Sequence, residues 1–167
     1  MQLALTDLFR AKWTNRIHDE WIGNLLKNRP DLKREQLEKT RRLMNTATRD
    51  CLVEGYDHLV ESVKLPDEGD RHVLAAAIHA HADVIVTFNL KDFPPKVLRR
   101  YKVAAVHPDD FVTHLIEMDS AAVCEATRLH RARLRNPSKT IEEYLMTQSN
   151  QGLVKTVRHL RAHDHLI

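Results

Sequence analysis

LPDEGDRHVLAAAIHAHADVIVTFNLKDFPP, residues 65–95, is the stretch on which the fold turns. Asp70 is followed by Leu74, Ala77, Ile78 and His81 on one face at the helical period, with Val73 beside them. Asp67 and Asp70 lie in the loop and first turn, where a carboxylate favours the helix dipole. The pattern predicts a helix from Asp70 that ends at Ala82-Asp83. Val84-Ile85-Val86-Thr87 is a continuous β-branched run, which predicts a strand buried on both faces in a parallel sheet. Asn89 and Asp92 follow Phe88 at once, and Pro94-Pro95 break the chain.

Working outward, His58-Leu59-Val60-Glu61-Ser62-Val63 reads as an earlier strand. A right-handed strand–helix–strand crossover makes the two strands parallel. Asp67 and Asp70 then leave the end of the first strand, and Asn89 and Asp92 the end of the second. All four arrive at the carboxyl edge of one sheet, where open α/β folds place ligands. Acids gathered there repel unless a cation lies between them, and hard oxygen donors select Mg²⁺ or Mn²⁺. The same residues also serve as helix caps and turn formers, and spacing alone does not choose between the two readings.

A resemblance adds weight to the first. Asp70, His72-Val73-Leu74-Ala75-Ala76-Ala77 and Val84-Ile85-Val86-Thr87-Phe88-Asn89-Leu90-Lys91-Asp92-Phe93-Pro94 resemble the C-terminal half of a PIN domain. The PIN domain is the metal-dependent ribonuclease fold of VapC-like toxins of toxin–antitoxin pairs. The likeness extends back through Trp13-Thr14 and Ile17-His18-Asp19-Glu20-Trp21-Ile22, and forward through His107-Pro108-Asp109-Asp110-Phe111. It implies a three-layer α/β/α sandwich with a short parallel sheet. It also implies hydrolysis of phosphodiester bonds in single-stranded RNA, an antitoxin protein as partner, and a cytoplasmic setting. Glu20, Asp70 and Asp92 become the catalytic acids; together with Asn89 they would hold Mg²⁺ or Mn²⁺, with Asp67 supporting from behind. Asn89 is neutral, so Asp92 is the better anionic ligand after the strand. Glu20 lies beside the apolar stripe Ile17, Trp21, Ile22 and Leu25, and it is equally placed to pair with Arg16.

One part of the family pattern is missing. Family members open on a buried strand that ends in the first metal-binding Asp. This sequence opens on Met1-Gln2-Leu3-Ala4-Leu5-Thr6-Asp7-Leu8-Phe9, which has helical spacing, and Asp7 is a poor substitute. The expectation is a PIN-like domain without its first strand, residues 1–118. The strand would be supplied by a longer frame, by a small second polypeptide, or replaced through self-association. The competing expectation is a catalytically inactive RNA- or protein-binding module.

The totals set outer bounds. The 167 residues suit a single core, and four glycines are few for an all-β protein. A net charge of +3 is mildly basic and compatible with nucleic acid. Cys51 and Cys124 lack the spacing of a zinc site or a disulfide framework, so both read as small core residues. No apolar run is long enough to span a bilayer. Lys33 to Cys51 reads as a long helix bearing Lys39, Arg41, Arg42 and Arg49. Arg41 and Arg42 are the candidate RNA contacts on it, against the reading of a solvated face. Lys102-Val103-Ala104-Ala105-Val106 predicts another parallel strand, and Pro108-Asp109-Asp110 opens a helix. Residues 119–167 read as a helical extension. In it Asp119 is a cap, Asn136-Pro137-Ser138 a break, and Thr140-Ile141-Glu142-Glu143 a capping box. His159 and His163 stand one helical turn apart, but no third metal ligand accompanies them.

Overall fold

The chain is described from a computed structural model covering residues 2–135 and 137–167. Met1 and Asn136 lie outside the described residues, so the expected break at Asn136-Pro137-Ser138 falls partly outside them. The helices are α1 (Asn15–Asn28), α2 (Arg34–Ala47), α3 (Asp57–Val60), α4 (Arg71–His79), α5 (Pro95–Leu98), α6 (Pro108–Met118), α7 (Ser120–Ala132), α8 (Ile141–Asn150) and α9 (Val154–Arg161). The strands are β1 (Val84–Val86) and β2 (Ala104–Val106), hydrogen-bonded to each other. Ala104 N donates to Asp83 O, and Thr87 N donates to Val106 O. Both partners advance together along the chain, so the pairing is parallel. The fold is α/β, with a short parallel sheet and C-terminal helices.

Contacts divide the chain into two units. One comprises Arg10–Ile85 and Asn89–Ala105. Its centre is Val63, Leu65, Leu74, Ala77, Ile85, Phe93, Leu98 and Val103. Thr14 caps α1 by accepting from Ile17 N at 3.0 Å. α1 is tied to α2 by a part-buried polar chain. Trp13 Nε1 donates to Asn45 Oδ1 at 2.7 Å, and His18 Nε2 lies 3.0 Å from the same oxygen. Trp21 Nε1 donates to His18 Nδ1 at 2.9 Å. That donation makes Nδ1 an acceptor, so His18 carries its hydrogen on Nε2 and gives it to Asn45.

The other unit comprises the residues up to Phe9, Val86–Phe88 and Val106–Ile167. Its core is Leu115, Ile116, Val123, Cys124, Tyr144, Leu145, Val157, Leu160 and Ile167. The caps expected from sequence are present. Asp119 accepts from Ala122 N at 2.9 Å, and Thr140 and Glu143 form a reciprocal capping box. α6, which lies on the PIN-like side of a boundary at residue 118, groups here with α7 and α9. Among the described residues, no helix is long and apolar enough to cross a membrane.

Four expectations need correction. The segment 58–63 is not a strand: α3 occupies Asp57–Val60, and Ser62 N returns to Leu59 O. Gly55 at φ 75° turns the chain, and Leu59 and Val60 then pack against Val53, Tyr56, Ala75 and Ala76. Its apolar residues therefore meet a helix, and so short an apolar run by itself did not distinguish that from a sheet. The parallel pairing before α4 is instead a single bridge, Trp13 to Leu52. Second, β1 is not buried on both faces: Ile85 is 7% exposed, but Val84 is 37% and Val86 42%. Third, the central helix stops at His79, because His81 adopts φ 51°. Fourth, the basic helix ends at Ala47 rather than near Cys51. At the N-terminus, Gln2–Leu5 is a 3₁₀ turn, and among the described residues no strand precedes α1.

Candidate metal centre

Two short turns position the acids. Asp67 opens a 3₁₀ turn over Glu68–Asp70, and its Oδ1 accepts from Gly69 N at 2.7 Å. A Cβ on Gly69 would stand 3.0 Å from that same Oδ1, so glycine lets the carboxylate fold over the turn. Asp70 is the residue before α4, and its side chain makes no capping hydrogen bond. A capping role therefore does not account for it. Asp92 closes a second 3₁₀ turn over Leu90–Asp92, six residues after β1 ends, and accepts from Asn89 Nδ2. Asn89 thus turns its amide to Asp92, the orienting role open to a neutral side chain.

Asp67, Asp70 and Asp92 each offer an oxygen within 4.8 Å of the other two, which makes them a candidate metal centre among the described residues. Asp67 stands inside this triple rather than behind it. Glu20 stands outside it. Its Oε1 lies 3.4 Å from Arg16 Nε and 2.9 Å from His72 Nε2. Arg16 also reaches the acid loop, donating from Nη2 to Gly69 O at 3.4 Å.

The electrostatics agree with the geometry. The carboxyl of Asp70 is pushed above its ordinary range by burial, then by Asp67, Asp92 and Glu20. Glu20 is therefore within electrostatic reach of the triple. Burial pushes the imidazole of His72 down, and Glu20 opposes that shift. Carboxylates gathered this closely are the donor set that a hard divalent cation satisfies. Among the described residues the triple is all carboxylate, an oxygen donor set of the kind hard divalent cations take.

His72 was missed in the sequence. Its signal was a polar residue at a buried helix position, among Leu74, Ala75, Ala76 and Ala77. Arg41, by contrast, is already engaged: it donates to Asp19 Oδ1 at 2.9 Å and Asn15 Oδ1 at 2.6 Å, and lies 3.6 Å from Glu38. Arg42 is exposed, with no partner among the described residues.

Two stretches of the chain are similar to known proteins. A family model described as PIN domain matches residues 1–91. The chain belongs to the PIN-domain family. A second family model, the VapC50 C-terminal domain, matches residues 108–162. A protein of Mycobacterium tuberculosis strain H37Rv named "Putative ribonuclease VapC50" is 45% identical over 64 residues. That match covers 38% of this chain and 37% of the mycobacterial protein. No solved structure matches the chain.

Proposed function

We propose that this PIN-domain chain is a metal-dependent endoribonuclease of the VapC type, acting as the toxin of a cytoplasmic toxin–antitoxin pair or as part of a split toxin. The observation that carries the proposal is the triple Asp67, Asp70 and Asp92 at the ends of two turns, with the Asp70 carboxyl raised by burial and then by its acidic neighbours. The name of the mycobacterial relative and the match to its C-terminal domain support the VapC assignment.

In this reading Asp70 and Asp92 hold Mg²⁺ or Mn²⁺, with Asp67 beside them and Glu20 at the rim. Bound there, the ion supplies an activated water and neutralises charge on the scissile phosphate. The chain's own residues do the rest. Asn89 holds Asp92 in place through its amide. Arg16 restrains Glu20 and offers a positive charge beside the acid loop. All these residues lie within 1–118, the part we assign to catalysis. We assign residues 119–167, the helical extension, to contacts with an antitoxin. Among the described residues β1 pairs on one side only, with β2. Its other edge is where a small complementing polypeptide or a second copy would add a strand.

The deciding experiment is cleavage of single-stranded RNA with and without Mn²⁺, using the wild type, Asp70→Asn and Asp92→Asn. Cleavage that requires the ion and is lost in both variants is expected. RNA binding without ion-dependent cleavage would favour the inactive binding module instead.

A further inference from the structure

His72 stands in the first turn of α4, two residues after Asp70, and is 1% exposed. Its neighbours on that helix are Leu74 and three alanines, all buried. A position that served packing alone would be filled by an aliphatic side chain. An imidazole there brings two polar nitrogens into the core, and neither has a well-aligned hydrogen-bond partner. Its one polar neighbour at close range is Glu20 Oε1, 2.9 Å from Nε2 along a bent approach. Arg16 Nε reaches the same oxygen at 3.4 Å. Glu20 Oε2 has no hydrogen bond among the described residues, so one edge of the carboxylate is held and the other is left open.

We infer that His72 is a positioning residue: its buried imidazole holds Glu20 at the rim of the acid triple and thereby sets how tightly the chain takes a divalent cation. This rests on the proposal that Glu20 belongs to the metal centre. The contact does not depend on the charge of the ring. Both the Nε2-protonated tautomer and the imidazolium present an N–H at Nε2. Partners that orient ligating carboxylates commonly change metal affinity by about 10–100-fold when removed. Arg16 cannot substitute for His72, because its half-exposed guanidinium is shared with Gly69 O. Glu20 is half-exposed as well, so without His72 its long side chain is free to sample solvent rotamers.

The test is calorimetric titration of the intact chain with Mn²⁺, with thermal melts of the same samples. Glu20→Gln, His72→Leu, His72→Gln and the double variant Glu20→Gln/His72→Leu are compared with wild type. Glu20→Gln should weaken Mn²⁺ binding, and His72→Leu should weaken it by roughly tenfold or more. His72→Gln, which keeps an N–H near the Nε2 position, should restore most of the loss. The double variant should bind like Glu20→Gln alone, because His72 acts through Glu20. Melts should show His72→Leu folded. If it does not fold, His72→Asn, too short to reach Glu20, takes its place in the same cycle. Wild-type Mn²⁺ affinity in His72→Leu, beside weakened binding in Glu20→Gln, overturns this inference and leaves the metal centre standing. Additive losses in the double variant overturn it too. Unchanged affinity in Glu20→Gln removes Glu20 from the centre, and this inference with it.

Discussion

The carboxyl of Asp70 is raised by burial and then by Asp67, Asp92 and Glu20, and that has a direct consequence for stability. An unfolded Asp ionises near ~3.9, and folded Asp70 ionises higher. The folded chain therefore binds the proton more tightly than the unfolded one. Stability falls as pH rises from the unfolded pKa through the folded one, and it stays lower above that window. Asp70→Asn loses no capping hydrogen bond, since the carboxylate makes none. In chelator-treated samples at neutral pH, Asp70→Asn should melt higher than wild type. The gap should close as pH drops below the ordinary Asp range. Adding Mn²⁺ should raise the wild-type melting temperature more than that of the variant. A gap that ignores pH would place its origin in the backbone of the turn rather than in charge.

Among the elements, α6 and α9 are joined through a buried acid. Asp109 is buried in the first turn of α6. Its Oδ2 accepts from Lys155 N and its Oδ1 from Thr156 N, both at 2.8 Å, at the first turn of α9. Burial works against ionisation, but these hydrogen bonds hold the carboxyl below its usual range. One acid thus satisfies two of the unpaired N–H groups that open α9. Asp109→Ala should cost about 1–3 kcal/mol. Asp109→Asn should be little better, because it turns an NH₂ against one of the two N–H donors. A depressed folded pKa makes this stabilisation complete above the unfolded value and lost as pH falls through the folded one. Urea melts at neutral and acid pH would check both points, and wild-type stability in Asp109→Asn would dismiss the clamp. The sequence showed Asp109 as a first-turn acid and showed nothing of its partners, which lie more than forty residues onward. The same limit explains segment 58–63. Its apolar residues were legible as core, but whether a helix or a strand received them depended on α4, which packs from a distance. Caps such as Thr14, Asp119 and Thr140 were legible because their bonds close within one turn. That Asp67, Asp70 and Asp92 come together was legible because α4 and β1 are adjacent in sequence. His72 was not, because its partner Glu20 sits on α1.

At the scale of the whole molecule, the net charge of +3 gives only weak attraction for a polyanion, so the RNA binding proposed above would be concentrated on a few residues. α2 carries the candidates. Arg41 and Arg42 are adjacent in sequence but differ in what surrounds them. The charge of Arg41 is met by Asp19 and Glu38, and its guanidinium also binds Asn15. Moving it to a phosphate would break those contacts. Arg42 is exposed and has no partner among the described residues, so it can meet a phosphate without losing anything. Binding to a single strand weakens with salt in proportion to the phosphates neutralised, by about 0.7 in the log–log slope for each. Arg42→Ala should therefore flatten the salt dependence of RNA binding by about 0.7, while Arg41→Ala should leave the slope nearly unchanged and lower the melting temperature slightly. Fluorescence anisotropy with a short labelled RNA over a range of KCl would read both slopes. A slope that flattens with Arg41→Ala and not with Arg42→Ala would mean that Arg41 abandons Asp19 on binding, and that α1 and α2 adjust to receive RNA. No change with either would make the basic face of α2 a solvated surface and move the RNA path elsewhere, with Arg16 beside the acid loop as the next residue to replace.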